Sequence, residues 1–172
     1  MKRLIYLFAA LSLGLGACSD WLDVQPKGTI SAATLLEDEI GFKEVLAGVY
    51  TTMSAKDAYG LELTCGFVDA MAQYWEISSV TDNQLYDFMH FDLTTTGAEN
   101  RLERVWTKMY QAISNLNILL SDLRKYGPAD FTDYNLIKGE ALGLRAYLHL
   151  DLLRLFGPVL TGGAGRDEPS IP

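Results

Sequence analysis

The chain has 172 residues, 49% of them hydrophobic, and carries 22 acidic against 14 basic side chains for a net charge of -8. Such a surface repels phosphate backbones, and no arginine–lysine cluster interrupts it, which argues against nucleic acid as a partner and favours neutral ligands. Two cysteines, Cys18 and Cys65, build no disulfide framework, so the fold must rest on a packed core.

The N-terminus reads as an address. Lys2 and Arg3 precede an almost unbroken apolar run over residues 4–15, and Leu15-Gly16-Ala17-Cys18 closes it. A basic start, an apolar stretch and small residues before a cysteine are the pattern of a lipoprotein signal peptide. The apolar run is too short for the roughly 20 residues that cross a bilayer as a helix. Residues 1–17 are therefore expected to be removed and Cys18 to be lipidated, several acyl chains together giving durable anchoring where one would not. Cleavage takes away Lys2 and Arg3 and no acid, leaving 12 bases against 22 acids, a net charge of about -10. Residues 18–30, polar and carrying Asp20 and Asp23, read as the lipidated tether.

Residues 31–157 read as one helical domain. Ser31 precedes a segment in which Phe42, Val45, Leu46, Val49 and Met53 recur at helical spacing, with Glu37, Asp38 and Glu39 near its start where the helix dipole favours anions. A second helix is expected over 61–76, with Leu63, Phe67, Met71 and Tyr74 on one face, and a long polar loop over 77–97. A third helix spans 99–126: Leu102, Val105, Trp106, Met109, Ile113, Leu116, Leu120 and Leu123 keep the period for about seven turns, and Gly127-Pro128 stops it. Thr132 or Asp133 can cap a fourth, whose face is Ile137, Ala141, Leu144, Leu148, Leu152 and Leu155 and whose stop is Gly157-Pro158. The last two helices form an antiparallel hairpin, and Ala112, Ala141, Gly143 and Ala146 are small enough to let helix axes approach closely. The expectation is an all-α fold of stacked, tetratricopeptide-like helical hairpins with a long polar loop, although no clean 34-residue repeat is present. Residues 158–172 read as a Gly/Pro-rich connector.

Catalytic chemistry finds little support. His90 and His149 are isolated, and Cys65, with no nearby histidine, is expected to be a small core residue. Asp82, Asp87 and Asp92 sit at intervals of five, which suits neither a helix face nor a calcium loop. Gly162-Gly163-Ala164-Gly165 lacks the lysine of a phosphate loop. No catalytic residue, metal or cofactor is expected. Just past the polar Asp69 and Gln73, Trp75 and Tyr74 lie where the second helix meets the polar loop, with Asp82, Asn83 and Tyr86 also close in sequence. A sugar stacks its apolar face on aromatic rings while amides and carboxylates bond its hydroxyls, so Trp75, Tyr74, Asp82, Asn83 and Tyr86 form the candidate ligand site. A residue capping the core is the competing reading of Trp75. Trp106 belongs to the periodic core face.

The fourth helix carries Gly139-Glu140-Ala141, Leu144-Arg145-Ala146-Tyr147 and Asp151-Leu152-Leu153-Arg154-Leu155-Phe156-Gly157. This run resembles the signature helix of the SusD/RagB family of nutrient-binding lipoproteins. Further agreement lies in Cys18-Ser19-Asp20-Trp21-Leu22-Asp23 followed by Pro26, in Ala47-Gly48-Val49-Tyr50, in Val105-Trp106, and in Tyr110 through Asn117. Leu142-Gly143 departs from the family's usual basic-plus-alanine pair, and Val159-Leu160 from its Val-Pro. The resemblance implies a helical scaffold whose loops build a shallow glycan or peptide site. It also implies a lipid-anchored position at the outer membrane, facing the cell exterior, and a partnership with a SusC-like TonB-dependent transporter. Family members often place an aromatic ligand contact in the loops near Trp75, without a motif that says which residue. They commonly run to several hundred residues, so the chain is expected to be an N-terminal portion with an incomplete site. The alternative is a tetratricopeptide-like lipoprotein facing the periplasm that binds protein partners only. Within the signature helix, Arg145 and Arg154 are expected to tie neighbouring helices together rather than to react.

Overall fold

The computed structural model describes residues 32–74, 76–78 and 83–157. Cys18, Trp75, Asp82 and the connector over 158–172 lie outside the described residues. The chain divides into two units, Met1–Leu35 and Leu36–Pro172. The described part of the first is the one-turn helix α1 (Ala32–Leu35).

The second unit is built from α2 (Glu39–Met53), α3 (Phe67–Met71), α4 (Asn83–Met89), α5 (Thr96–Leu123) and α6 (Tyr134–Phe156). No strand occurs among the described residues, so the all-α expectation holds. Helix α2 starts at Asp38, whose carboxylate accepts from the Gly41 amide at 2.7 Å and so satisfies one of the donors every helix start leaves unpaired. Helix α5 starts in the same way from Thr95, whose hydroxyl accepts from the Ala98 amide. Its apolar stripe is buried as the spacing requires: Val105, Met109, Ile113, Leu116, Leu120 and Leu123 all enter the core. Each such side chain contributes about 1.5–3 kcal/mol on full burial.

Helices α5 and α6 pair antiparallel. Trp106 meets Phe156, Tyr110 meets His149 and Arg145 meets Asn117, so α6 descends as α5 ascends. Helix α2 packs on both through Phe42, Leu46 and Val49. At one end Phe42, Tyr126 and Phe131 form an aromatic trio with centroids 4.7–5.8 Å apart. Helix α6 ends where Gly157 donates its amide to Leu153 O; a Cβ there would lie 2.3 Å from that same oxygen, which explains the glycine.

Several sequence expectations need correction. The helix expected over 61–76 shrinks to α3, because residues 61–66 form tight turns. Thr64 Oγ1 bonds back to the Tyr59 and Leu61 carbonyls, and the Glu62 side chain is drawn wholly into the core, so the local bonding competes with a continuous helix. The long loop contains a helix, α4, whose Leu85, Phe88 and Met89 carry a short helical period that polar neighbours obscure. Gly143 and Ala146 are exposed, and nothing lies within 4 Å of a Cβ built on Gly143, so of the four small residues only Ala112 and Ala141 serve close packing. Cys65 is exposed rather than buried; the turn leaves it outside.

Candidate functional site

Of the five residues singled out for ligand contact, the described ones fall on a corner made by α3 and α4. Phe67 and Phe88 stack at 4.8 Å and fasten the two short helices together. Gln73 then takes a left-handed backbone, φ 56°, and its side-chain amide donates to the Met89 carbonyl at 2.8 Å. This bond ties the end of α3 to the end of α4. Next to it in sequence stands Tyr74, 76% exposed; two residues beyond Met89 stands Phe91, 57% exposed and also left-handed at φ 56°. A bulky residue with positive φ is uncommon, and two within this corner mark it as geometrically specified.

Tyr86, the third described residue, is half-buried and lies against His90, with ring centroids 4.1 Å apart. The His90 Nδ1 is 2.9 Å from the Tyr86 carbonyl; a carbonyl only accepts, so Nδ1 carries the proton. Asn83 opens α4. Two of the evenly spaced acids find structural tasks: Asp87 accepts from the Thr95 hydroxyl that caps α5, and Asp92 accepts from Thr94. Tyr74 follows the end of α3 and Tyr86 lies within α4, the two helices that the Phe67–Phe88 stack and the Gln73–Met89 bond join. Gln73 stands among the polar neighbours that the sequence places beside Tyr74, whereas Phe91 is not among them; an aromatic flanked by His90 and Asp92 in a polar stretch is the available signal for it.

The corner rests on a buried ion pair. Arg101 of α5 donates from Nε to Glu62 at 2.8 Å, and the other Glu62 oxygen accepts from the Phe67 amide at the start of α3. Gly66 makes room for it: a Cβ there would lie 2.7 Å from both the Cα and Oε2 of Glu62. No sequence periodicity announced this pair, since Arg101 follows the polar Glu99-Asn100 and Glu62 lies in a turn.

Of the signature charges on α6, Glu140, Arg145 and Asp151 reach other elements, whereas Arg154, expected to tie helices together, is 70% exposed and pairs with Asp151 one turn before it on its own helix. Asp151, nearly buried, accepts from the Tyr59 hydroxyl at 2.7 Å and from Arg154. Burial, joined by the Asp151 carboxylate, pushes the Tyr59 hydroxyl far above its ordinary range. Arg145 reaches across to the Asn117 amide oxygen at 2.9 Å, and Glu140 accepts from Tyr50 of α2 rather than pairing with Arg145. Asp133 occupies the position before α6 without capping it. Its carboxylate goes to Lys43, while Glu39 accepts from the Thr132 amide at 2.7 Å and from the Asp133 amide at 3.4 Å. A residue of α2 thus covers the start of α6.

Surface cavities open on this scaffold among the described residues. One of about 150 Å³ lies between α5 and α6 against Leu123, Tyr134 and Arg145. Another, about 310 Å³, lies beside Asp151 and Arg154, and a shallow one of about 450 Å³ runs along Asp57 and Arg104. Among the described residues no group of three or more His, Cys, Asp or Glu side chains could hold a metal ion, and no helix is long and apolar enough to cross a membrane. The chemistry on display is stacking and hydrogen bonding.

A family model described as SusD-like, starch-binding and associating with the outer membrane, matches residues 20–169. No curated protein and no solved structure matches the chain.

Proposed function

The chain belongs to the SusD-like family, and on that premise we propose that it is a glycan-binding protein of nutrient uptake at the outer membrane, without catalytic activity of its own. The observation that carries this reading is the corner at Tyr74 and Phe91: two exposed aromatic rings, one following the left-handed Gln73 and the other itself left-handed, beside the Gln73–Met89 bond. Exposed rings are costly in water and suit the apolar face of a sugar. Trp75, Asp82, Asn83 and Tyr86 belong to the same proposed site, the first two lying outside the described residues.

Under this reading Cys18 is lipidated after loss of residues 1–17, residues 18–30 tether the domain, and the protein faces the cell exterior. There it passes oligosaccharide to a SusC-like TonB-dependent transporter. The stacking of α2 on the α5–α6 hairpin is compatible with a tetratricopeptide-like scaffold, which is part of the same proposal. Membrane fractionation and external protease test it. Cys18→Ala should move the protein from the membrane to the soluble fraction. The wild-type chain on intact cells should be cut by added protease; protection until lysis would support the periplasm-facing alternative instead.

A further inference from the structure

The cavity between the end of α5 and the first half of α6 has an apolar floor and a cationic rim. Leu120, Leu123 and Tyr134, all buried, form the floor; Arg124, Lys138 and Arg145 stand around it. The Lys138 ammonium lies 5.7 Å from the centre of the Tyr134 ring, held over the floor by the ring's negative face. No carboxylate lines the cavity.

The pairing of the cations sets this place apart. Every other arginine among the described residues meets a carboxylate: Arg101 meets Glu62, Arg104 meets Asp57 and Arg154 meets Asp151. Arg124 and Arg145 do not, and the charge-neutral Asn117 amide is the partner that Arg145 reaches; Lys138, like Lys56 and Lys108, has no carboxylate partner among the described residues. In a chain with 22 acids and 14 bases, three cations converging on one cavity without an acid is contrary to the overall balance. Their mutual repulsion is a standing cost that a bound anion removes. Arginine offers a planar fork that matches a carboxylate, and lysine adds a point charge.

We propose that this cavity binds a carboxylate carried on a body the size of a single ring, as in an acidic sugar residue of a glycan. The ring would lie against the exposed Leu142 and the edge of Tyr134, and the carboxylate would meet Arg124, Lys138 and Arg145. The inference rests on the glycan-binding reading for its ligand class and adds a second, charge-selective contact to it. A volume of about 150 Å³ admits one ring rather than a chain, so the cavity selects the acidic unit and leaves the remaining sugars outside.

Isothermal titration of the full chain with digalacturonate, the neutral disaccharide maltose and benzoate tests it. Digalacturonate should bind, and raising sodium chloride from 50 to 500 mM should weaken it several-fold, because the rim is solvent-accessible and screened. Arg124→Gln with Lys138→Gln, both at exposed positions, should weaken digalacturonate about tenfold and leave maltose unchanged. Tyr74→Ala with Phe91→Ala should do the reverse, lowering maltose affinity while a carboxylate contribution persists. Salt-independent digalacturonate binding, or binding equal in the Arg124/Lys138 variant, overturns the inference while the glycan-binding reading stands. Benzoate binding tighter than digalacturonate would keep the carboxylate contact and overturn its assignment to a glycan. Binding of benzoate with no binding of maltose or digalacturonate would instead count against the glycan-binding reading.

Discussion

Glu62 and Arg101, 39 residues apart in sequence, meet at 2.8 Å with the Glu62 side chain wholly buried. The pair joins the turn before α3 to the first part of α5, and through Phe67 it sets where α3 begins. Since the exposed aromatic rings follow directly on α3 and α4, the placement of the proposed glycan corner depends on a contact far from any ligand.

Removing one partner leaves the other charged and buried, which costs roughly 3–5 kcal/mol. Arg101→Met should therefore destabilise the protein by that order in urea unfolding, and adding Glu62→Gln should recover part of the loss, since the neutral amide keeps an acceptor for the Phe67 amide. A single variant within about 1 kcal/mol of wild type would mean the pair does not hold this region.

Gly66→Ala tests the same junction sterically. The new methyl would sit 2.7 Å from the Glu62 Cα, a backbone atom that cannot swing aside. Overpacking of this kind costs about 1–3 kcal/mol. Gly48→Ala, where nothing lies within 4 Å, is the matched control and should be neutral or slightly stabilising in the same unfolding experiment.

Acid stability should depend on Lys43. Its ammonium, by hydrogen bonding, holds the Glu39 carboxyl below its ordinary 4.5 and the Asp133 carboxyl below its ordinary 3.8. Carboxyls lowered on folding stabilise fully above those ordinary values, and the contribution disappears as pH falls through the lowered ones. Lys43 itself is raised above its ordinary 10.5 by Asp133 and Glu39, so its share is present below that pH and lost as pH rises through the raised value. Lys43→Met should thus lower the thermal midpoint most between these two limits, with the two proteins converging in acid. A constant offset from neutral pH to pH 2 would show that the three groups are not linked.

The long helices were legible because period and stops agree. The stripe from Val105 to Leu123 and the stripe from Ile137 to Leu152 bury as their spacing requires, and Gly157 ends α6 where it stands in sequence. The region between Gly60 and Thr95 was not, for a physical reason. Its short helices draw their stability from tertiary contacts, Phe67 on Phe88 and Glu62 on Arg101, rather than from a local period. Local pattern cannot report a partner 39 residues away. For the candidate site the outcome is mixed in the same way. Gln73, Tyr74 and Tyr86 stand out by composition, and the Gln73–Met89 bond brings the end of α3 to the end of α4, whereas Phe91 is marked by a left-handed backbone that composition does not carry.

The most direct measurement is calorimetric titration of the full chain with malto-oligosaccharides and other neutral glycans, comparing wild type with Tyr74→Ala combined with Phe91→Ala. Both rings are exposed, so the far-UV circular dichroism of the variant should match wild type. The expected result is saturable binding of at least one glycan by the wild type and an affinity about tenfold lower in the variant, a change of ~1.4 kcal/mol. Equal affinity in the two proteins would contradict the placement of the site, and no binding of any glycan by the wild type would contradict the glycan-binding reading itself.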